Sequence, residues 1–200
     1  MKKKILIIGG TGFIGYHLAK KCLKKKWLVS SFSTSKPKKF RSVNGVNYIE
    51  GDISKKRDLN RIKKNYNYVV NLGGHVDHTN KIKTLKSHFY GTKNLVRAIL
   101  KTTNPPKWFF YASTSHVYPS SFRRKKFSEN YKVKPYSQYG KTKLGGEKII
   151  KNNFKNKKIN FCIGRIFSFT DQNQKKPFVI PSLVSKIKCT KKRQVKLSNL

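Results

Sequence analysis

The N-terminal region contains the stretch Ile5-Leu6-Ile7-Ile8-Gly9-Gly10-Thr11-Gly12-Phe13-Ile14-Gly15. Its four consecutive apolar residues predict a buried strand, and the glycines that follow predict a tight turn into a helix. Gly9, Gly12 and Gly15 form a GxxGxxG pattern at this junction. Glycines in such a pattern permit the turn, let the backbone approach a pyrophosphate and allow the helix to pack closely on the strand. The stretch therefore predicts a dinucleotide-binding turn.

Apolar runs of strand length alternate with helical periodicity as far as Arg165. This alternation predicts an α/β protein with a Rossmann-type, doubly wound parallel sheet that has helices on both faces. The predicted strands lie near Ile5–Ile8, Leu28–Phe32, Val46–Glu50, Tyr68–Leu72, Trp108–Ala112 and Asn160–Arg165. The predicted helices lie near Ile14–Lys25, Lys55–Lys64, Lys83–Lys101 and Tyr139–Lys155. We interpret Ser120–Pro135 as a loop.

Basic residues dominate the composition, with 47 lysines and arginines against 7 acidic residues and a formal net charge of +40. Taken alone, such a charge favours a nucleic-acid or anionic-membrane partner. The lysines are spread over the whole chain instead of forming one arm or stripe, so a compositional bias explains them and we do not expect nucleic acid as a partner. The positive field would still attract anionic nucleotides at low salt.

Three cysteines, Cys22, Cys162 and Cys189, show no CxxC spacing. Neither a disulfide framework nor a zinc site is therefore expected, and a cytoplasmic location fits. No segment approaches the roughly 20 apolar residues that a membrane span requires, so we expect no membrane partner. His75, Asp77 and His78 are metal-ligand residue types, but no fourth ligand accompanies them, and we predict no metal site.

Tyr139 and Lys143 form a YxxxK pair at the start of a predicted helix, which places both side chains on one face, one turn apart. A nearby ammonium favours the phenolate, so we expect Lys143 to lower the pKa of Tyr139 toward neutrality and make it a usable acid/base. In so lysine-rich a chain, YxxxK arises easily by chance. Its weight comes from the hydroxyl-rich run Tyr111–Pro119 at the carboxyl end of a strand, where open α/β sheets bind ligands.

In order and spacing, these motifs resemble the extended short-chain dehydrogenase/reductase family, the NAD(P)-dependent epimerase/dehydratase group that acts on nucleotide sugars. The resemblance also covers Gly51–Ile53, Asn71–Gly74, Gly91–Leu95, Pro135–Lys143 and Arg165–Phe167. It implies an enzyme that transfers a hydride at a sugar carbon, with Tyr139 as acid/base, Thr114 as the hydroxyl that binds the reacting group, and Lys143 reaching the nicotinamide ribose. Ser113 is the alternative to Thr114.

The resemblance further implies a set of cofactor-binding residues. They are Gly9, Thr11, Gly12, Phe13, Ile14, Gly15, Ser33, Asp52, Ile53, Leu72, Gly73, Gly74 and Lys143. Folds of this kind that prefer NAD usually carry an acid at the end of the second strand. Residues 29–36 contain no carboxylate, and Lys36, Lys38 and Lys39 could accept a 2′-phosphate, so NADP is favoured over NAD. Asp52 has an alternative role as a turn or helix cap, for which Ser54 competes.

Family members that dehydrate nucleotide sugars follow the catalytic threonine with Asp-Glu, whereas this chain has Ser115-His116. We therefore expect a nucleotide-sugar epimerase or 4-keto-sugar reductase, with a 4,6-dehydratase as the alternative. His116 is a candidate second acid/base, since the ordinary pKa of histidine is about 6.5; alternatively, it lines the pocket wall. A non-catalytic NADP-binding or RNA-associated Rossmann protein is a further alternative, against which the intact Thr114, Tyr139 and Lys143 argue.

The resemblance also predicts the domain organisation. Residues 1–170 would form the NAD(P)-binding Rossmann domain that carries the catalytic residues, and residues 171–200 would begin a substrate-binding lobe that is incomplete. A homodimer is expected through the helices Lys83–Lys101 and Tyr139–Lys155. One departure is His88, which stands where the family commonly has asparagine before its Gly-Thr motif.

Overall fold

A computed structural model describes residues 2–62, 65–75, 80–120, 126–157, 159–171, 174 and 179–189. The chain divides into two compact units, Met1–Phe167 and Ser168–Leu200. All of the strands and four of the five α-helices described below belong to the first unit. In the second unit, the structure describes one α-helix.

The first unit is built on a six-stranded sheet with the order β3-β2-β1-β4-β5-β6, in which every neighbouring pair is parallel. Its strands are β1 (Lys4–Ile8), β2 (Leu28–Ser33), β3 (Val46–Glu50), β4 (Tyr68–Asn71), β5 (Trp108–Thr114) and β6 (Asn160–Ile166). The strand order reverses between β1 and β4, and a crevice at such a reversal is where doubly wound sheets bind ligands. The predicted fold class is confirmed.

The α-helices are α1 (Phe13–Lys24), α2 (Lys81–Thr84), α3 (Gly91–Leu100), α4 (Gln138–Phe154) and α5 (Val179–Cys189). Short 3₁₀ turns cover Lys39–Arg41, Lys56–Arg61 and Ser115–Val117, and a π-helical turn, Leu85–Tyr90, joins α2 to α3. None of the helices in the described ranges is long and apolar enough to cross a membrane.

Strand β1 is buried on both faces, which explains its uninterrupted apolar run. Ile5 and Ile7 pack with Ala19 of α1 on one face, and Leu6 and Ile8 belong to the larger core on the other face. That larger core also contains buried side chains from α3, β5 and α4, namely Leu95, Val96, Ile99, Phe109, Tyr111, Ile150 and Phe154. Each fully buried aliphatic or phenylalanine side chain contributes about 1.5 to 3 kcal/mol.

Two predicted helices differ from the structure. The predicted helix Lys55–Lys64 is the 3₁₀ turn Lys56–Arg61, whose only buried residue is Leu59, so an apolar helix face is missing. The carboxylate of Asp58 accepts a hydrogen bond from the Asp52 backbone N–H (3.0 Å), which further favours a local turn. The predicted helix Lys83–Lys101 is interrupted by the π-helical turn. Lys63 and Lys64 lie outside the described residues.

Candidate functional site

The glycine turn between β1 and α1, called the cradle below, is packed too closely against neighbouring backbone to hold side chains at its glycines. Gly9 has a φ of +78°, and a Cβ there would lie 3.1 Å from the backbone nitrogen of Gly73. A Cβ on Gly15 would collide with the carbonyl oxygen of Gly9. Gly12, at the N-cap of α1, offers no side-chain cap. A closely approachable backbone at a helix N-terminus fits the pyrophosphate of a dinucleotide.

The predicted cofactor residues converge on this turn from neighbouring strands. The Thr11 backbone N–H donates to Ser33 Oγ at the end of β2 (3.3 Å), which ties the glycine turn to that strand. At the end of β4, the Gly73 N–H donates to Asn71 Oδ1 (3.1 Å), which shapes the turn against which Gly9 packs. Ser33, Thr11 and Gly73 are thereby fixed around one crevice.

The Asp52–Ile53 turn after β3 is held by α3. Asn94 Nδ2 donates to the carbonyl oxygens of Ile53 (3.2 Å) and Ser54 (2.9 Å). Asp52 Oδ1 accepts the Ser54 backbone N–H (2.8 Å), so one carboxylate oxygen caps this turn, as the alternative interpretation of Asp52 proposed. Ile53 itself is buried.

The N-terminus of α4 carries Tyr139 and Lys143. Ser137 caps the helix, because its Oγ accepts the Gly140 backbone N–H (3.1 Å). The Tyr139 side chain is hydrogen-bonded to Thr114, the last residue of β5. The structure thus brings together the three predicted catalytic residues, Thr114, Tyr139 and Lys143, at the carboxyl end of β5.

The expected effect of Lys143 on Tyr139 is wrong for this structure. Burial raises the pKa of Tyr139, and the opposing influence is the hydrogen bond with Thr114, not the ammonium. Lys143 Nζ instead donates to the Ala112 carbonyl oxygen (2.9 Å) in a buried position, and this burial lowers the pKa of Lys143 to about 8. Desolvation is therefore the main influence on both groups: it raises the pKa of the tyrosine and lowers the pKa of the lysine.

The adjacent hydroxyls of Ser113 and Thr114 have different partners. Ser113 Oγ donates to Glu147 Oε1 (2.5 Å), whereas Thr114 Oγ1 accepts the His116 backbone N–H (3.3 Å) and bonds Tyr139. A hydroxyl that already accepts one hydrogen bond can donate its proton to the tyrosine oxygen, and such a bond lowers the tyrosine pKa as found. This arrangement favours Thr114 over Ser113 as the hydroxyl that works with Tyr139.

Two histidines flank the Tyr139 ring. The His116 ring is edge-on to Tyr139, with centroids 5.5 Å apart, and stacks on Tyr136 at 5.8 Å. The His88 ring, buried in the π-helical turn, is edge-on to Tyr139 at 5.1 Å. His88 Nδ1 lies 3.2 Å from Thr142 Oγ1, which donates to the Tyr139 carbonyl oxygen at 2.9 Å. Because the Thr142 hydroxyl has one proton and donates it to that carbonyl, His88 Nδ1 must be the donor in the hydrogen bond between His88 and Thr142.

Glu147 of α4 and Arg165 of β6 form an ion pair in which Glu147 is buried and Arg165 is partly exposed. Arg165 Nη2 lies 2.9 Å from Glu147 Oε2 and Nε lies 3.1 Å from Oε1, a bidentate arrangement. Arg165 Nη1 also donates to Tyr118 Oη (3.0 Å) and to the Glu129 carbonyl oxygen (3.1 Å). Hydrogen bonds to Glu147 and Tyr118 raise the pKa of Arg165 above its ordinary value. This pair links α4, β6 and the segment that follows Tyr118.

Tyr118 anchors the loop after β5. Its hydroxyl donates to the Ser128 carbonyl oxygen (3.1 Å), and its ring stacks on Phe127 with centroids 5.0 Å apart. Tyr131 packs edge-on against Phe127 at 4.9 Å. The described part of the predicted loop Ser120–Pro135 is therefore tied to the strand end beside Thr114.

Of the three metal-type residues, the structure describes only His75, whose backbone N–H donates to Ser87 Oγ (3.0 Å). Asp77 and His78 lie outside the described residues. Within the ranges that the structure does describe, no group of three or more His, Cys, Asp or Glu side chains could hold a metal ion.

Three features were not predicted from the sequence: the part that Glu147 plays, the part that Arg165 plays, and the contact of His88 with Tyr139. Glu147 had a detectable pattern, because one of only seven acids stands four residues after Lys143 on the same helix face. His88 stood out only as a departure from the family pattern. Its contact with Tyr139 joins segments far apart in the chain, which no local pattern reveals.

Comparisons with known proteins identify relatives of this chain. The chain is 32% identical over 126 residues to a UDP-N-acetyl-alpha-D-glucosaminuronate decarboxylase of Bacillus cytotoxicus, which covers 59% of this chain and 38% of the relative. It is 26% identical over 217 residues to a dTDP-D-glucose 4,6-dehydratase of Dictyostelium discoideum, covering 94% of this chain and 50% of the relative. The chain thus spans half or less of the length of these relatives.

A solved structure with the same fold is the UDP-glucose 4-epimerase of Thermus thermophilus in complex with NAD. The TM-score is 0.73 at 19% identity, over 81% of this chain and 54% of that chain. The model of the NAD dependent epimerase/dehydratase family matches residues 5–199. The predicted family and the NAD(P) type of cofactor are confirmed, whereas the choice between NAD and NADP is not decided by these matches. The chain belongs to the NAD dependent epimerase/dehydratase family.

Proposed function

We propose that this protein transfers a hydride between an NAD(P) cofactor and a sugar carbon of a nucleotide sugar, as a 4-epimerase or 4-keto-sugar reductase. The observation that carries the proposal is the hydrogen bond between Thr114 and Tyr139, with Lys143 one helical turn away. Support comes from relatives whose names all denote enzymes of nucleotide sugars. The substrate and direction for this chain belong to the proposal.

The cofactor would lie along the cradle of Gly9, Gly12 and Gly15, with Ser33 at its adenosine end and Gly73 and Gly74 beside the nicotinamide. The close backbone packing of the glycine turn, at the N-terminus of α1, fits such a group. Thr11, Phe13, Ile14, Asp52, Ile53, Leu72 and Lys143 complete the proposed set. When bound, the nicotinamide would supply or accept the hydride.

Tyr139 would remove the proton from the sugar hydroxyl during oxidation and return it during reduction. The Thr114 hydroxyl, which accepts the His116 backbone N–H at 3.3 Å, would bind the same sugar oxygen. Burial raises the pKa of Tyr139, which favours its role as proton donor during reduction; for its role as base during oxidation, the hydrogen bond with Thr114 acts in the needed direction, because it lowers this pKa. Lys143, with a pKa of about 8, can lose and regain a proton near neutral pH and would relay it.

Epimerisation or ketone reduction fits the residues after Thr114 better than elimination does. Loss of water across C5–C6 requires an acid/base pair beside the catalytic threonine, and Ser115 and His116 offer no carboxylate there. His116 stands edge-on to Tyr139 and would serve as the second acid/base of the proposed reaction.

The test has two arms: UDP- and dTDP-hexoses with NAD+ or NADP+, and nucleotide 4-keto sugars with NADH or NADPH, following reduced cofactor at 340 nm and sugar products by NMR. We expect 4-epimers in the first arm, or 4-hydroxy sugars with consumption of reduced cofactor in the second, and Tyr139→Phe to lower the rate by about 100-fold or more. Tyr136→Phe is the matched control, because this neighbouring tyrosine stacks on His116 and is 60% exposed. Formation of 4-keto-6-deoxy sugars would establish a dehydratase instead. Salt-dependent RNA binding without any cofactor reduction would contradict the enzyme assignment.

We also propose a cytoplasmic homodimer that forms through the α2–α3 helical segment and α4. Ile82 and Tyr90, 67% and 47% exposed, offer apolar surface on that segment. Sedimentation equilibrium should give twice the chain mass, and Tyr90→Asp should shift it toward the monomer. An unchanged mass for Tyr90→Asp would place the interface elsewhere.

We further propose that the second compact unit begins the substrate-binding lobe. Its boundary falls after Phe167, close to the predicted residue 171. Helix α5 carries Val179, Ile180 and Ile187, all exposed, as an apolar surface for further packing. Protection of α5 from hydrogen exchange on addition of UDP-hexose would support this role, and unchanged exchange would oppose it.

A further inference from the structure

A buried tyrosine that takes no part in the proposed proton transfer contacts the Lys143 ammonium. Tyr111, in β5, is fully buried, and Lys143 Nζ lies over its ring at 5.2 Å from the centroid. The same ammonium donates to the carbonyl oxygen of Ala112, the next residue of that strand (2.9 Å). Two successive residues of β5 therefore hold the end of the Lys143 side chain.

Within the described residues, the buried Lys143 ammonium has no carboxylate partner. Glu147, the acid one turn further along α4, is instead paired with Arg165 at 2.9 Å. A buried cation without an anion is stabilised by the electron-rich groups that surround it, and the face of an aromatic ring carries negative potential. The Tyr111 ring and the carbonyl oxygen from β5 are groups of this kind.

The Tyr111 ring is fixed in place and stays neutral. Its hydroxyl occupies the space beside Gly146, where the Cβ of any other residue would collide with Oη. Burial raises the pKa of Tyr111 above its ordinary value. The phenol therefore does not titrate in the range in which Lys143 does, and it contributes through the face of its ring instead of acting as an acid or base.

We propose that Tyr111 is a positioning residue that holds the charged Lys143 side chain against β5 and keeps it beside Tyr139. The inference rests on the proposed function, because the ammonium would serve the proton transfer by Tyr139 and would reach the nicotinamide ribose. A ring face favours the charged form of a desolvated amine by a factor of about 5 to 30. Loss of this face should therefore shift Lys143 toward its neutral form.

Other titratable groups also lie around the ammonium. Tyr139 and Glu147 are on the same helix, one turn to either side of Lys143, and Glu147 brings its ion-pair partner from β6. The His88 imidazole comes from the π-helical turn: a Cβ on Gly74 would collide with His88 Nε2 and would lie 3.4 Å from Lys143 Nζ. A double-mutant cycle between the ring and the lysine cancels these groups, because all four proteins contain them.

The experiment is urea unfolding of the parent chain, Tyr111→Leu, Lys143→Met and the double variant, at pH 7 and at pH 10. At pH 7, Lys143→Met should stabilise Tyr111→Leu more than it stabilises the parent. In the unfolding equilibrium constant, this coupling should be about 5- to 30-fold larger than at pH 10. Lys143, with a pKa of about 8, has lost its charge in the folded protein at pH 10, so only packing between the two side chains remains there.

Tyr111→Phe is the matched control, because it keeps the ring face and removes the hydroxyl. Its own cycle with Lys143→Met should retain the pH-dependent coupling within about twofold. A fluorinated phenylalanine at the same position keeps the shape of that ring and weakens its negative face. This side chain should lose most of the coupling that Tyr111→Phe retains, and it serves as the test if Tyr111→Leu does not fold.

Turnover provides a readout that a purely structural contact would not move. In the assay of the proposed reaction, the limb of the pH–rate profile that reports Lys143 should move to lower pH in Tyr111→Leu. The expected shift is about 0.7 to 1.5 pH units, which is the same factor expressed as a change in pKa. In Tyr111→Phe, this limb should stay in place.

Coupling of equal size at pH 7 and pH 10 would overturn the inference, because the contact would then be packing alone. Loss of the coupling in Tyr111→Phe as well as in Tyr111→Leu would also overturn it, in favour of the hydroxyl. A pH-dependent coupling in a protein that converts no nucleotide sugar would support the contact between Tyr111 and Lys143 and would count against the proposed function instead.

Discussion

Glu147 and Arg165 form a bidentate ion pair in which Nη2 lies 2.9 Å from Oε2 and Nε lies 3.1 Å from Oε1. Glu147 is one turn after Lys143 on α4, and Arg165 is opposite Ser113 in the β5–β6 register. Ser113 donates to the same carboxylate and precedes Thr114. The pair therefore joins the helix that carries Tyr139 and Lys143 to the strand that carries Thr114.

Removing one member of this ion pair should destabilise the folded protein. We expect Glu147→Leu to lower the free energy of unfolding by about 1.5 to 3 kcal/mol, because the partly buried Arg165 guanidinium loses its carboxylate partner and keeps only Tyr118 Oη and the Glu129 carbonyl oxygen as acceptors. The double variant Glu147→Leu/Arg165→Met should lose less than the sum of the single changes, with a coupling of about 1 to 3 kcal/mol. Urea unfolding of the four proteins measures both quantities. Strict additivity would show that the two side chains do not stabilise each other.

Lys143 should destabilise the folded protein at neutral pH. Burial lowers its pKa from 10.5 to about 8. The folded state then binds fewer protons than the unfolded state between these values, so the penalty is complete below about pH 8 and disappears as the pH rises toward 10.5. Lys143→Met should raise the free energy of unfolding at pH 7 by about 1 to 2 kcal/mol, after loss of the hydrogen bond to Ala112, and should abolish turnover.

The measurement for Lys143 is urea unfolding at pH 7 and at pH 10. The gain from Lys143→Met should be largest at pH 7 and shrink at pH 10. Lys141→Met, at an exposed position on the same helix, serves as the control and should be close to neutral at both values. A gain that grew with pH would contradict the lowered pKa.

Gly15→Ala sets helix propensity against packing. Alanine would favour α1 by about 1 kcal/mol, but its Cβ would collide with the Gly9 carbonyl oxygen and with Gly10. Because these are backbone atoms of a fixed turn, we expect a net loss of about 1 to 3 kcal/mol of stability and weaker dinucleotide binding. Thermal unfolding and titration with NADP+ provide the readouts. A stabilised variant with unchanged affinity would mean that the turn can move; Lys20→Ala on the exposed side of α1 is the comparison.

Asn94→Leu should loosen the Asp52–Ile53 turn. It removes the donor for the carbonyl oxygens of Ile53 and Ser54, and carbonyls left without partners in a buried position cost about 1 to 3 kcal/mol. Urea unfolding should show this loss, whereas Arg97→Leu on the exposed side of α3 should change stability by less than about 0.5 kcal/mol. If the two variants behave alike, the amide contributes nothing beyond helix packing.

Patterns that depend on neighbours in the chain predicted much of this protein. The strand at Ile5–Ile8 and the glycine turn follow from apolar runs and backbone chemistry, and all six strands appear close to their expected positions. The segment Lys55–Lys64 failed because lysines promote a helix without supplying the apolar face that would hold it on the sheet. Leu59 alone is buried there.

Properties that depend on distant residues or on burial were not accessible in this way. The pKa of Tyr139 was expected to follow the YxxxK spacing, but burial of its own side chain raises this pKa and the hydrogen bond with Thr114 opposes the rise. Likewise, the contact of His88 with Tyr139 joins residues far apart in the chain, which only the fold brings together. Spacing along the sequence contains neither the dielectric environment nor such long-range proximity.

The π-helical turn Leu85–Tyr90 has a consequence for how the protein tolerates length changes. An α-helix rotates about 100° per residue, so the extra residue of this turn offsets the angular phase of α3 relative to α2. Deleting one residue there would restore regular hydrogen bonding along the backbone. It would also turn Asn94 away from the Asp52–Ile53 turn, or His88 away from Tyr139, depending on which side of the helix moved. The deletion would thus give a more regular helix, but this helical segment could no longer contact both the Asp52–Ile53 turn and Tyr139.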